Sequence, residues 1–334
     1  MKLVCAMLLG FVLDLIFGDP HGLVHPVQII GWFIDKLKNL IYGCSYEEVK
    51  EKGIERKAGM EKAAGFFLML FIVAGTYAVI YGMLYVAGMI HPLLRFCLET
   101  FFIYQILATK SLKKESMKVY KKLKEGDLLG ARKEVSYLVG RDTENLDESE
   151  VAKADVETIA ENTADGVIAP MLFIALGGAP LGFAYKAVNT LDSMVAYRNE
   201  ELIHIGFFSA KMDDICNFVP ARFAAVMMML AAFFLRFDFK GAVRIFKRDR
   251  FAHLSPNSAQ TEAVAAGALQ IQLGGTHNYF GKAVVKPTIG DAIRPVEYED
   301  IKRTNQLLYV SAFLSMAVCT LITFLLYTQL FKFM

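Results

Sequence analysis

The stretch that decides the fold is ETIAENTADGVIAPMLFIALGGAPLGFAYKAVNTLDSMVAYRNE, residues 157–200. Its middle, Val167 to Ala184, is almost purely apolar, whereas both flanks are polar. On the first flank Glu157, Glu161 and Asp165 recur every fourth residue, so a helix places them on one face. Carboxylates at that spacing repel one another, which predicts a cation beside them, either Mg²⁺ or a fixed Lys or Arg. A surface helix pair with ordinary salt bridges is the alternative.

The apolar middle of this stretch has two alternative paths. Val167–Leu176 as a helix is roughly 15 Å long, too short to cross a hydrocarbon core of about 30 Å. The sequence Gly177-Gly178-Ala179-Pro180 then interrupts the helix. The segment therefore forms either a re-entrant hairpin, whose ends return to the same face, or one kinked helix from Gly166 to Ala196 that crosses the membrane.

The composition favours a membrane protein and excludes several function classes. The chain has 334 residues, of which 55% are hydrophobic, and a mean hydropathy of +0.38, more apolar than a usual soluble domain. A net charge of +2 and the absence of a basic-aromatic motif argue against a nucleic-acid partner. The five cysteines are scattered without a CxxC pair, so neither a zinc site nor a disulfide framework is expected. No P-loop, GxGxxG, GxSxG or HExxH motif occurs, so any nucleotide site is unorthodox.

The apolar runs predict an all-α, polytopic integral membrane protein with broken or re-entrant helices and cytoplasmic helical inserts. A membrane admits only helices or closed barrels, and no strand alternation appears. We predict a single membrane-embedded domain over residues 1–334, with membrane segments at 3–17, 63–90, 92–109, part of 166–196, 216–236 and 307–331. A soluble helical insert is predicted over residues 110–160. It begins with seven Lys between positions 110 and 124, and such short Lys-rich flanks stay cytoplasmic.

A second polar motif, DLIFGDPHGLVHPVQIIG at residues 14–31, follows the first apolar segment. It is broken by Pro and Gly and contains Asp19 and His25. Ionisable residues at a membrane edge are functional candidates by default. The motif therefore predicts a polar site there, with a turn carrying surface histidines as the alternative.

A third motif, MDDICNFVPAR at residues 212–222, places Asp213 and Asp214 one helical turn before Asn217. Hard cations take oxygen ligands, so this pattern indicates a site for Mg²⁺ or for phosphate with Mg²⁺. A pair of acids capping a membrane helix explains it equally well.

Two further motifs follow. The sequence HLSPNS at residues 253–258 starts an Ala/Gly-rich helix expected to end at Gly274-Gly275, with Glu262 just inside. A helix start rich in Ser and Asn offers free N–H groups to a phosphate, or serves only as a cap. The sequence YFGKAVVKPTIGDAIR at residues 279–294 is interpreted as a Gly/Pro loop that carries Lys286.

Taken together, these blocks resemble the cobalamin-biosynthesis family of adenosylcobinamide-phosphate synthases, called CbiB or CobD. The matching blocks, in the family's order, are DLIFGDPHGLVHPVQIIG (14–31), ENTADGVIAP (161–170), YKAVNTLDSMVAYRNE (185–200), DDICNFVPAR (213–222), SPNSAQTEAVAAGALQIQLGG (255–275) and YFGKAVVKPTIGD (279–291). One departure is NSAQTEA, where the family is expected to have a small and an aromatic residue before the Glu. That difference bears on substrate fit rather than on family.

The resemblance implies a multi-pass enzyme of the cell membrane, with its active site on the cytoplasmic face. Such an enzyme joins a propionate carboxylate of adenosylcobyric acid, a corrinoid, to aminopropanol or its O-phosphate and forms an amide. ATP and Mg²⁺ are the implied cofactors, with an acyl phosphate expected by analogy with other ADP-forming ligases. The choice of amine stays open, as does a homo-oligomeric state. The alternative is a membrane transporter or sensor that binds an anionic metabolite without catalysis, since the AmpE regulator looks similar in outline.

Hypothetical roles follow for the polar residues of the blocks. Glu161 is the candidate base, in a catalytic set of Glu161, Asn162, Asp165 and Asp192. The metal candidates are Asp165, Asp192, Asp213 and Asp214. The candidates for binding substrate or phosphate are Asp19, His25, Lys186, Asn189, Arg198, Asn217, Arg222, Ser255, Asn257, Glu262 and Lys286.

Overall fold

The computed structural model describes residues 1–19, 25–42, 57–196, 202–279 and 281–330, and this part of the chain is almost entirely helical. In chain order, its helices are α1 (Lys2–Phe17), α2 (Pro26–Tyr42), α3 (Ala58–Ile90), α4 (Pro92–Ile106), α5 (Thr109–Lys124), α6 (Leu128–Ser136), α7 (Glu148–Asn162), α8 (Ala169–Val195), α9 (Phe207–Phe234), α10 (Phe239–Asp249), α11 (Ser258–Leu269) and α12 (Glu299–Leu330). A π-helical turn, Thr163–Ile168, joins α7 to α8. The prediction of an all-α polytopic membrane protein is confirmed.

Helix α8 reverses direction at its two central glycines. Gly177 and Gly178 leave the helical conformation, and Gly178 has φ 68° and ψ −165°, a region open essentially to glycine alone. Beyond them the second arm packs back on the first, because the ring centroids of Phe173 and Tyr185 lie 4.8 Å apart. In a straight helix these two positions would be separated by about 18 Å. The hairpin prediction is therefore correct, and the kinked-helix alternative is wrong.

The tip of this helical hairpin is held by two other helices. The Ala179 N–H donates to the Glu99 carboxylate of α4 at 3.2 Å. This bond supplies an acceptor to an N–H at the start of the second arm, where a helix offers no internal acceptor. The Thr323 hydroxyl of α12 lies 3.1 Å from the Ala175 carbonyl near the end of the first arm. Both arms are thus anchored where the helical hydrogen bonding is interrupted.

Within the described residues, four helical segments are long and apolar enough to span a membrane: Ala58–Ile90, Glu148–Val195, Phe207–Phe234 and Glu299–Leu326. They overlap the predicted segments at 63–90, 166–196, 216–236 and 307–331. Because the second of them contains the hairpin, its two polar flanks lie at the same end of the bundle. This arrangement lets them share one site, which a straight crossing would divide between the two faces.

The predicted segments at 3–17 and 92–109 correspond to α1 and α4, of 16 and 15 residues. Both are shorter than the roughly 20 residues that a crossing helix needs. They pack closely against each other, because a Cβ added at Gly10 would lie 2.6 Å from the Ile103 side chain. By contrast, the outer face of α3 leaves Phe67 and Phe71 more than 60% exposed, as expected of a surface that faces lipid.

The predicted insert at 110–160 comprises α5, α6 and most of α7. Its interior holds fully buried Val119, Val135 and Val151. The Tyr120 hydroxyl donates to Glu299 at 2.8 Å, which ties the insert to the first turn of α12.

The region after α11 differs from the sequence prediction. Helix α11 ends at Leu269, where Gln270 adopts a left-handed φ of 59°, rather than at Gly274-Gly275. Strand β1 (Leu273–Tyr279) then pairs antiparallel with strand β2 (Lys282–Ile289), in the region interpreted as a helix end and a loop. Glycines and a proline interrupt the alternation of apolar residues in these strands, so their pattern does not predict strands.

Candidate active site

The helical hairpin brings acidic and basic side chains from four helical segments together, with Glu161 on α7 and Asp213 on α9. Asp165 comes from the π turn, and Asp192 and Lys186 come from the second arm of α8. The carboxylates of Asp213, Glu161 and Asp192 are close enough to Asp165 to repel it, and the Lys186 ammonium attracts it. These five residues, called here the acidic cluster, were all predicted from the sequence.

Asp213 is oriented by a chain of hydrogen bonds. The Asn217 amide donates to Asp213 Oδ2 at 3.0 Å, and the Asn189 side chain lies near the same carboxylate. The buried Tyr185 hydroxyl lies 2.8 Å from Asn217 Oδ1 and 3.0 Å from the Asp165 carbonyl. Tyr185 therefore connects both arms of the hairpin to α9.

The acidic cluster has the chemistry of a cation site. Asp213 Oδ1 is buried and has no hydrogen-bond partner in the described part of the chain, although the carboxylates of Asp214 and Glu161 are close enough to repel Asp213. Across those residues, however, no three His, Cys, Asp or Glu side chains are grouped tightly enough to hold a metal by themselves. Mg²⁺ commonly takes one or two carboxylates and completes its shell with phosphate oxygens and water, so the donor set fits a phosphate-bound Mg²⁺.

The first motif joins the acidic cluster at its edge. The Asp19 N–H donates to Ser111 Oγ of α5 at 2.9 Å, and His25 Nε2 lies 3.6 Å from Asp19 Oδ1. Lys186 is close enough to interact electrostatically with both Asp19 and His25. Burial lowers the pKa of His25, with the neighbouring Asp19 opposing that effect.

A polar cavity of about 170 Å³ lies next to the acidic cluster and shares Glu161 with it. The side chains with polar groups in its wall are Arg141, Glu157, Thr158, Glu161, Asn162, His253, Glu262, Tyr279 and Lys286. Glu161 accepts a hydrogen bond from Ser258 Oγ at 2.6 Å, and Asn162 donates to the Thr158 carbonyl at 3.0 Å. Glu161 therefore stands at the junction of the two halves of the site.

Two residues of this cavity have protonation states set by burial. The Ser255 N–H donates to His253 Nδ1 at 3.0 Å, so the neutral ring carries its proton on Nε2. Burial lowers the pKa of His253, which keeps the ring neutral and makes Nε2–H a hydrogen-bond donor. Burial, followed by the charges of Glu161 and Glu157, raises the pKa of Glu262 well above its usual range.

A β-bulge aims Lys286 into the cavity. Gly274 pairs with Thr288 and Thr276 pairs with Val285, so β2 has one extra residue opposite Gly275. Such bulges turn a strand and redirect a side chain. Gly274 has φ 74°, and a Cβ there would lie 2.3 Å from the Pro287 carbonyl oxygen, so the bulge requires glycine at this position.

The remaining predicted residues link α9 to the start of α11. The Asn257 amide donates to the Asp214 carbonyl at 2.9 Å, and Arg222 donates to Asn257 Oδ1 at 3.1 Å. Ser255 Oγ accepts the Asn257 N–H at 3.2 Å. Asp214 also interacts electrostatically with Asp192 and Asp213, at the rim of the acidic cluster. Arg198 lies outside the described residues.

Several residues that build the site were not predicted from the sequence, namely Arg141, Tyr185, His253 and Ser258. Arg141 contacts the Glu157 carboxylate, and its acidic neighbours in sequence gave no indication of this more distant partner. No sequence pattern marked Tyr185 as a site residue, because it only follows the end of an apolar run. His253 and Ser258 did lie in the motif interpreted as a phosphate site or a helix cap, but neither was among the predicted site residues.

Known proteins are similar to this chain over nearly its whole length. The model of the CobD/CbiB protein family matches residues 7–308. A cobalamin biosynthesis protein CobD of Clostridium perfringens is 48% identical over 316 residues, covering 95% of this chain and 96% of that protein. A CobD protein of Streptococcus sanguinis is 46% identical over 95% and 96% of the two chains. A cobalamin biosynthesis protein CbiB of Salmonella choleraesuis is 43% identical over 95% and 96%. No solved structure matches the chain.

Proposed function

The chain belongs to the CobD/CbiB family, and from that premise we propose that it is a membrane ligase that forms an amide on a corrinoid. The family assignment supports a role in cobalamin biosynthesis. The proposed reaction joins a propionate carboxylate of adenosylcobyric acid to aminopropanol or aminopropanol O-phosphate at the expense of ATP.

The observation that carries this proposal is the adjacency of two unlike polar sites. The acidic cluster suits a phosphate chain with its Mg²⁺, since Asp213 Oδ1 has no hydrogen-bond partner among the described residues and Lys186 adds a cation. The neighbouring cavity of about 170 Å³ suits a small amino alcohol and is far too small for a corrinoid ring. A ligase of this kind needs both sites, with the substrate carboxylate between them.

The proposed chemistry starts at the acidic cluster. The substrate carboxylate attacks the γ-phosphorus of ATP, the bond to the β-phosphate oxygen breaks, and ADP leaves. One or two of the carboxylates of Asp165, Asp192 and Asp213 would hold the Mg²⁺ that neutralises the phosphates, together with phosphate oxygens and water, and Lys186 would contact a phosphate oxygen. The resulting acyl phosphate is the electrophile for the amine.

The second half of the reaction takes place at Glu161. The ammonium group of the amine loses a proton to Glu161, the free amine attacks the acyl carbon, and inorganic phosphate leaves. Ser258 hydrogen-bonds one oxygen of Glu161 and fixes the orientation of the carboxylate. His253 Nε2–H and Lys286 would donate to an anionic group on the amine, such as a phosphate ester.

We place this site on the cytoplasmic face. Ser111, which holds Asp19, belongs to the Lys-rich helix α5, so that helix lies at the same end of the bundle as the site. Lys-rich segments flanking membrane helices stay in the cytoplasm. ATP would then reach the site directly.

The test is product analysis with purified protein in detergent, adenosylcobyric acid, ATP, Mg²⁺ and either amine. We expect an amide product together with one ADP for each amide formed. Product with AMP would keep the function and reject the acyl phosphate. Corrinoid binding by folded protein without any product would reject the ligase and favour the transporter or sensor.

A matched pair of variants tests the acidic cluster. Asp192→Asn should lower turnover at least about a hundredfold, because it removes a carboxylate proposed to help hold the Mg²⁺ that neutralises the phosphates. The control Asp35→Asn changes an exposed carboxylate on α2 that lies 3.7 Å from Lys38, and it should leave turnover unchanged. Near-normal activity of Asp192→Asn would remove Asp192 from the proposed site.

A further inference from the structure

A buried ion pair between Glu157 of α7 and Arg141 of the preceding loop attaches the β1–β2 hairpin to the helices, called here the helical body. Glu157 Oε2 contacts the Arg141 guanidinium, and Glu157 Oε1 accepts the Gly274 N–H at 2.7 Å. The two charged side chains are only 7% and 8% exposed. One carboxylate therefore holds the loop before α7 and the start of β1 at the same time.

Arg141 and its neighbour extend this attachment along the hairpin. The Arg141 guanidinium lies 3.1 Å from the His277 ring in the middle of β1. The Asp142 N–H donates to the Asn278 carbonyl at 2.8 Å. The hairpin is thus joined to the body along the length of β1, beginning at Glu157.

The hairpin forms one wall of the cavity and carries Tyr279 and the bulge residue Lys286. Five of the eight residues of its outer strand are exposed, among them Val285 at 76%, although Ile289 at the end of the strand is buried. The position of Lys286 therefore depends on how β1 is held.

We propose that Glu157 is a positioning residue: through Arg141 and Gly274 it fixes the hairpin that carries Lys286 against the cavity. Glu157 belongs to the same helical stripe as Glu161 and Asp165, yet both of its oxygens are engaged in this attachment. It contributes no base or metal ligand. Its effect on the reaction comes through the binding of the amine at the cavity, and this part of the inference rests on the proposed function.

The first test needs no substrate. Amide hydrogen exchange is measured by mass spectrometry on the full-length protein in detergent, comparing wild type with Glu157→Gln. We expect the amides of residues 273–289 to exchange at least tenfold faster in Glu157→Gln, because an uncharged amide cannot hold both Arg141 and the Gly274 N–H. The control Glu148→Gln changes an exposed carboxylate in the first turn of the same helix and should exchange like wild type. Equal exchange of the hairpin in Glu157→Gln and wild type would overturn the proposal.

The second test separates positioning from a general structural role. In the amide-forming assay, Glu157→Gln should raise the KM for the amine at least tenfold and leave kcat within about threefold. Lys286→Gln should raise the same KM, and the double variant should be little worse than either single variant. A fall in kcat with unchanged KM, or additive effects of the two changes, would contradict the assigned role. If wild type makes no amide, the proposed function fails, while the exchange result still decides whether Glu157 holds the hairpin.

Discussion

The turn in α8 offers a test of the architecture, because Gly178 should tolerate no side chain. Its backbone, at φ 68° and ψ −165°, is in a region that costs an L-residue about 1–3 kcal/mol. A Cβ at Gly178 would also lie 2.5 Å from Glu99 Oε1 and displace that carboxylate from the Ala179 N–H. Loss of this capping hydrogen bond adds about 1–2 kcal/mol. Gly178→Ala should therefore destabilise the protein by about 2–5 kcal/mol.

The assay is thermal unfolding of the purified protein in detergent. For a chain of this size the expected cost lowers the unfolding midpoint by about 4–10 °C. Gly82→Ala on α3 is the control, because nothing lies within 4 Å of its added Cβ, and a helical Gly→Ala change is neutral or slightly stabilising. An unchanged midpoint in Gly178→Ala, or a fall equal to that of Gly82→Ala, would refute the tight turn and the role of Glu99.

Two further predictions concern the site and the β-hairpin. Tyr185→Phe leaves Asn217 Oδ1 without its donor, so it should cost about 1–3 kcal/mol of unfolding free energy and lower kcat, whereas Tyr77→Phe on the exposed face of α3 should change neither. Burial, aided by the charge of Arg141, lowers the pKa of His277 to about 4 from an ordinary value of 6.5. As the pH falls, the unfolded state therefore binds a proton at His277 before the folded state does. The stability contributed by neutral His277 is complete above pH 6.5 and is lost as the pH falls towards 4. Hairpin exchange, corrected for the intrinsic pH effect, should accelerate over that window in wild type and much less in His277→Asn; a pH-independent hairpin in wild type would contradict the assignment.

Much of the fold followed from the sequence for simple physical reasons. Long apolar runs in a chain of this composition predict membrane helices, because a helix satisfies its own backbone hydrogen bonds. Four of the predicted segments overlap helical stretches of the described residues that are long and apolar enough to span a membrane, although one of these stretches contains the hairpin. The break at Gly177-Gly178 was also predictable, because two glycines and a following proline end a helix. The direction of the chain after that break was not predictable, since it depends on Glu99 and Thr323, which are remote in sequence.

The residues of the site likewise fall into those that local sequence predicts and those that it does not. The members of the acidic cluster carry local signals, because acids at helical spacing beside an apolar run are costly and need a partner. Arg141 and Lys286 reach the site through long-range contacts and a one-residue bulge, which leave no periodic pattern. The β-hairpin was missed for a related reason, as Gly274 and Pro287 interrupt the alternation by which strands are recognised.

The reversal at Gly177-Gly178 is the central claim, because only a hairpin brings both polar flanks into one site. The most direct test is a disulfide between Ile174→Cys and Gly182→Cys in a chain whose five native cysteines are replaced by serine. A Cβ at position 182 would lie 2.7 Å from Ile174 Cγ1, within reach of a disulfide, whereas a straight helix would separate the two positions by about 12 Å. The control pair Ala224→Cys and Ala232→Cys has the same spacing within helix α9. Mild oxidation followed by peptide mass spectrometry should yield an intramolecular 174–182 disulfide in most molecules and none for the control pair. A folded protein that forms no 174–182 disulfide would contradict the hairpin and the shared site built on it.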